Sequence, residues 1–162
     1  MLINSENGSI ELESFATRLY KGMPLNQLKE TDFYKVNYHN MWDVKTGYFW
    51  YYFKTTEVKG YQLYLSLCFF EDRLHSLHMN TWEISDAKDW NGWTEEKEIQ
   101  VFHRNNRFLT LLLGISPTWK RKTPYPGVFF RFSWGNIWSV YDPRSASSLM
   151  GISYDEKNIA KN

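Results

Sequence analysis

This chain of 162 residues has one cysteine, Cys68, so no disulfide can form within it and a disulfide-stapled secreted fold is excluded. It also has no run near the roughly 18 apolar residues that a membrane-spanning helix needs. The richest stretch, Leu109 to Ile115, is short and broken by Gly114. Net charge is nearly absent: 19 Lys+Arg against 18 Asp+Glu leave +1, not the basic excess of a dedicated nucleic-acid binder. The nine glycines form no P-loop, no G-x-G-x-x-G and no G-x-S-x-G elbow. The start, Met1-Leu2-Ile3-Asn4-Ser5-Glu6-Asn7, lacks the basic residues and apolar stretch of a signal peptide. These absences predict a soluble, cytoplasmic protein that binds neither membrane nor nucleic acid.

What the chain has in excess is aromatic residues: 8 Trp, 11 Tyr and 11 Phe. Apolar residues at 43% and charged residues at 23% are ordinary globular values and exclude wholesale disorder. The length fits one core, and there is no repeat or Pro/Gly/Ser-rich linker, so residues 1–162 are expected to form a single domain.

Hydrophobic spacing divides the chain into helix and strand. Ser9 precedes Ile10, Leu12, Phe15, Ala16 and Leu19, a stripe that predicts an N-terminal helix stopped by Gly22 and Pro24, with a possible further turn around Leu25 and Leu28. Period two follows. Val36, Tyr38 and Trp42 mark a weak strand, Tyr48 to Phe53 an aromatic one, and Tyr61, Leu63, Leu65, Leu67 and Phe69 a third. Glu71-Asp72 reads as a tight turn into a strand from Arg73 to Glu83. Thr94 then caps a second helix to about Leu113, with Glu95 and Glu96 at the positive end of its dipole and Gly114 at its stop. Its Ile99, Phe102, Leu109 and Leu113 share a face that should lie on the sheet. Beyond Pro117, Pro124 and Pro126, Val128 to Trp134 and Ile137 to Tyr141 form a hairpin about Gly135-Asn136, and Leu149 to Tyr154 a last strand. Short connections make the pairing antiparallel. The expected class is α+β, a mainly antiparallel sheet of five or more strands with the 94–113 helix packed on it.

No catalytic constellation emerges. His75 and His78 form the one short histidine pair, but three residues apart on a strand they should point to opposite faces, so no metal site is predicted. His39 and His103 have no carboxylate or cysteine at ligand spacing, and Cys68 suits a small buried side chain. The pairs Glu71/Asp72 and Asp155/Glu156 fall at turns or ends, and Asp142 beside Pro143 organises a turn. No cofactor is expected, and an enzyme would need His75, His78 or His103 to converge with a carboxylate in a cleft.

Charge, however, is unevenly placed. Glu83 to Glu98 holds six acids against Lys88 and Lys97, whereas Ile99 to Arg131 holds no acid and six bases, Arg104, Arg107, Lys120, Arg121, Lys122 and Arg131. Trp82, Trp90 and Trp93 are interleaved with the acids. Acid-flanked tryptophans suit docking on a basic protein, because charge steers the encounter and rings anchor it. The partner-binding set is therefore Glu83, Asp86, Asp89, Trp90, Trp93, Glu95 and Glu96. The competing view is a solvated loop whose tryptophans belong to the core.

Three stretches resemble bacterial immunity proteins of contact-dependent inhibition and related polymorphic-toxin systems. They are Gly60-Tyr61-Gln62-Leu63-Tyr64-Leu65-Ser66-Leu67, then Trp134-Gly135-Asn136-Ile137 with Tyr141-Asp142-Pro143-Arg144, and Ser147-Ser148-Leu149-Met150-Gly151-Ile152-Ser153-Tyr154. The resemblance implies a cytoplasmic, non-enzymatic protein whose partner is a cognate toxin domain, with a nuclease the favoured toxin class. Such proteins have several folds, so no binding residue transfers by position. The alternative is a small-ligand or peptide-binding module that uses an aromatic-lined sheet face.

Overall fold

The computed structural model describes residues 1–87 and 89–154. Among these, nine strands form one antiparallel sheet and three short strands form another, with few helices, one of them long. The fold class is α+β.

The large sheet is built from two meanders. The first contains β4 (Tyr38–Asp43), β5 (Tyr48–Phe53), β6 (Thr56–Val58), β7 (Tyr61–Phe70) and β8 (Arg73–Trp82). The second contains β9 (Trp119–Arg121), β10 (Gly127–Phe132), β11 (Gly135–Asp142) and β12 (Ser147–Ser153). The sheet order is β4-β5-β7-β8-β12-β11-β10-β9, and β6 extends β7 beyond the end of β5. The last strand thus lies mid-sheet. Its pairing with β8, through Met150↔Met79, Gly151↔His78 and Ile152↔Leu77, joins the two halves.

The long helix α3 (Glu95–Leu113) connects the meanders and packs over their seam, against β8, β11 and β12. Its ends follow the capping rules: Thr94 Oγ1 accepts from Lys97 N, and Gly114 closes the helix in the left-handed region. Phe102, Phe108, Leu109 and Leu112 are buried, and Ile99 and Leu113 are partly so. Across the seam they meet Leu65, Leu67, Leu77, Met79, Ile137, Met150 and Ile152, which alternate inward along their strands.

The predicted N-terminal helix does not form. Ile10–Leu12 (β2) and Thr17–Leu19 (β3) pair antiparallel around a 3₁₀ turn at Glu13–Phe15, and β1 (Leu2–Ile3) joins β2. The buried positions Ile10, Leu12, Thr17 and Leu19 obey period two on either side of a turn, a pattern that overlaps a helical stripe in a short window. Ala16 at φ 45° interrupts the helix, and Arg18 faces Glu11 across the pair at 3.2 Å. The helical turns instead come later, as α1 (Leu25–Glu30) and α2 (Asp32–Asn37), so Val36 is helical rather than part of a strand.

Two turns also resolve. Glu71 and Asp72 both have positive φ, the conformation that a two-residue hairpin turn requires. The β10–β11 turn is Ser133-Trp134, with Gly135 already in the strand opposite Phe132. Glycine is required there by space: a Cβ on Gly135 would lie 2.1 Å from the Ser153 carbonyl oxygen. The Asp155/Glu156 pair lies outside the described residues.

Candidate partner interface

The Glu83–Thr94 segment links β8 to α3, and hydrogen bonds brace its inner side. Asp86 Oδ2 accepts from Glu83 N at 2.8 Å, and Asp89 Oδ1 accepts from Asn91 N and Gly92 N at 3.0 and 3.1 Å. Lys97 Nζ donates to Gly92 O at 2.8 Å, and Trp93 Nε1 donates to Ala146 O at 3.0 Å, fastening the loop to the β11–β12 turn. Trp90 projects away from this frame. It is 75% exposed, with its ring centroid 5.9 Å from that of half-buried Trp93.

The acids around it divide into two groups. Glu83 and Asp86 surround Arg104, whose side chain is buried: Nη1 donates to Asp86 Oδ1 at 3.0 Å and lies 3.3 Å from Glu83 Oε2, while Nη2 pairs with Asp86 Oδ2. Arg104 therefore neutralises part of the acidic segment and leaves the basic stretch to which its sequence position assigned it. Arg104 Nε also donates to Thr81 Oγ1 at 2.9 Å, and Asn105 Oδ1 accepts from Thr81 N and Oγ1 at 3.1 and 2.7 Å. Asn105 Nδ2 in turn donates to Asn80 Oδ1 at 2.7 Å. This network satisfies charge and amide groups that burial would otherwise penalise.

Glu95 Oε1 accepts from Tyr141 Oη at 2.9 Å; burial, then the Glu95 carboxylate, pushes the Tyr141 phenol up to about 12. Glu98 Oε1 accepts from Ser148 N, and Ser148 Oγ donates to Glu98 O at 2.8 Å. Glu96 makes no ion pair among the described residues. The seven sequence-named residues, on the loop and the first turn of α3, divide by what they touch. Glu83, Asp86, Glu95 and Trp93 have structural bonds there, Asp89 shapes its own turn, and Trp90 and Glu96 face solvent.

The sheet face opposite α3 is the second surface. Trp42, Tyr48, Trp50, Tyr52, Tyr64, Trp82 and Trp138 alternate onto it, and Trp42 is 57% exposed. His78 sits between Trp50 and Trp138, with ring centroids 4.4 and 5.3 Å away, and burial lowers its pKa to about 4. Trp138 lies over Gly151, where a Cβ would be 2.2 Å from the indole.

The expected opposition of His75 and His78 fails. A bulge places an extra residue, His75, opposite the Cys68–Phe69 step, so strict alternation is lost. His75 meets Tyr48 and His78 meets Trp50, two rings on the same face. Among the described residues there is no group of three or more His, Cys, Asp or Glu side chains placed to hold a metal, and no helix is long and apolar enough to cross a membrane.

No protein-family model and no curated protein matches the chain. Among solved structures, it is similar to a chain of Rhs1-CT in complex with cognate immunity protein RhsI1, with a TM-score of 0.55 and 13% identity over 99% of this chain and 91% of that one. It also aligns with a cysteine-rich secretory protein (SAV1118) from Staphylococcus aureus subsp. aureus Mu50, at a TM-score of 0.43 and 12% identity over 97% of this chain and 51% of that one. The first likeness establishes a shared fold.

Proposed function

We propose that this chain is a non-enzymatic immunity protein that binds a cognate bacterial toxin domain and neutralises it by occlusion. Trp90 carries the proposal: a 75%-exposed indole next to Asp89 on a hydrogen-bonded loop is an anchor presented in advance of binding. Leaving such a ring in water is unfavourable in the free protein and becomes useful when a partner covers it. The fold likeness supports the same role, since the similar chain comes from a toxin–immunity complex. A nuclease fits as the toxin, because an enzyme acting on an anionic polymer offers a basic cleft to which an acidic loop is complementary. The chain would act from the cytoplasm.

Co-expression with toxin domains encoded in the same genomic neighbourhood, combined with pull-down, tests the role. Protection with direct, salt-sensitive binding is expected; absence of protection from every such toxin would remove it.

A second reading has one observation in its favour. A cavity of about 530 Å³ lies beside β7 at the end of β5, lined by Tyr52, Tyr64, His39 and Lys54. If a small ligand there were the function, replacing Tyr52 and Tyr64 by Ala would abolish activity and Trp90→Ala would not.

A further inference from the structure

The basic stretch forms a site of its own. The C-terminal half of α3 and the β9 edge border a groove of about 690 Å³. Its rim is cationic. Arg107 on the helix and Lys120 and Lys122 on the edge strand and following loop are exposed, and Arg121 borders them. None of these four makes an ion pair among the described residues. Its floor is apolar, from Leu111, Pro117 and Val128, and Leu111 is 53% exposed. Loop anchors set the rim: Thr118 N and Oγ1 donate to Phe129 O at 2.9 and 3.0 Å, and Arg121 Nε donates to Tyr125 O at 2.9 Å.

We infer that this groove binds an acidic segment of a protein partner, with carboxylates at Arg107, Lys120 and Lys122 and apolar side chains on Leu111, Pro117 and Val128. Unpaired like charges over apolar floor atoms are complementary to a chain that alternates acids with apolar residues. A nucleic-acid strand fits less well. Single-strand sites place a series of aromatic platforms beneath successive bases, whereas the lining offers one exposed ring, the His103 imidazole, since Phe102 is buried at 6% exposure. The nearby Trp119 ring lies tilted against Phe129 with centroids 4.7 Å apart and carries the Arg131 guanidinium at 5.1 Å. The groove is separate from the Trp90 loop, so the inference does not depend on the immunity role. An occupant on both surfaces would straddle α3, whose charge changes sign along its length.

The test is fluorescence anisotropy on the full chain, with a labelled peptide of repeating Glu-Leu-Asp-Ser against a labelled oligothymidylate of about 15 nucleotides. Saturable peptide binding that weakens with salt is expected, reduced about tenfold or more by Arg107→Glu with Lys120→Glu and Lys122→Glu. Lys122→Glu alone, on an exposed loop, should give a smaller loss in the same direction and serves if the triple variant does not fold. Leu111→Ser should weaken the peptide without changing its salt dependence. Tighter binding of the oligonucleotide would overturn the inference in favour of nucleic acid. Binding of neither probe would overturn it outright. Concentration-dependent self-association lost in Trp90→Ala would overturn it in favour of a second copy whose Trp90 loop fills the groove.

Discussion

Arg104 and Asp86, 18 residues apart in the chain, form a two-pronged ion pair in which the guanidinium is buried and both carboxylate oxygens accept a hydrogen bond. The pair ties α3 to the loop that presents Trp90. Arg104 also donates to Thr81 Oγ1 and O, so removing it leaves the Asp86 carboxylate without its cation, and removing Asp86 leaves the buried guanidinium only the exposed Glu83 carboxylate as an ionic partner. Arg104→Met and Asp86→Ala should each cost about 3–5 kcal/mol of stability. Urea denaturation checks this, and an unchanged midpoint for both would show the pair to be incidental.

Phe102→Ala and Leu109→Ala should each destabilise by about 2–5 kcal/mol, the cost of emptying a packed large apolar site. Both side chains are buried in the core beneath α3, at 6% and 0% exposure. Ile115→Ala, at 45% exposure, is the control and should shift the denaturation midpoint little.

Acid should weaken the fold through His78. Burial holds its pKa at about 4 against an ordinary 6.5, so between these values the unfolded chain binds more protons than the folded one. This contribution is fully present above about pH 6.5 and is lost as pH falls towards 4, to a total of up to about 3 kcal/mol. Denaturation midpoints measured across that window check the sign, and His78→Gln should flatten this part of the profile.

Trp90→Ala should cost toxin binding at least about 2 kcal/mol while leaving the melting temperature unchanged, because the ring is mostly in water in the free protein. Trp93→Ala should lower both, since its indole N–H holds the β11–β12 turn. For charge reversal, Glu96→Lys is the informative change, because Asp89 also holds the loop: slower association and altered salt dependence are expected. Titration calorimetry and stopped-flow association measure these effects. Full-strength binding by all these variants would move the contact elsewhere on the molecule.

Local pattern sufficed where neighbours in sequence are also neighbours in space. The α3 boundaries, with Thr94 as cap and Gly114 as stop, and the β7–β8 hairpin about Glu71-Asp72 were legible, because capping and turn chemistry act within a few residues. The α+β class followed from the order of the two periods. At the N-terminus, Ile10, Leu12 and Leu19 satisfied helix and strand spacing alike, and pairing between β2 and β3 decided the outcome.

The candidate interface divides along the same line. Composition placed acids and tryptophans together between Glu83 and Glu98, and no folding was needed to see that charge changes sign near Ile99. Only the tertiary structure decided that Trp90 stands in solvent while Trp93 is tied down, that Arg104 belongs with the acids, and that β12 enters mid-sheet to bring Ser148 to Glu98. The physical reason is that burial and ion pairing depend on which distant segments meet, and hydrophobic periodicity along one segment carries no information about its partner.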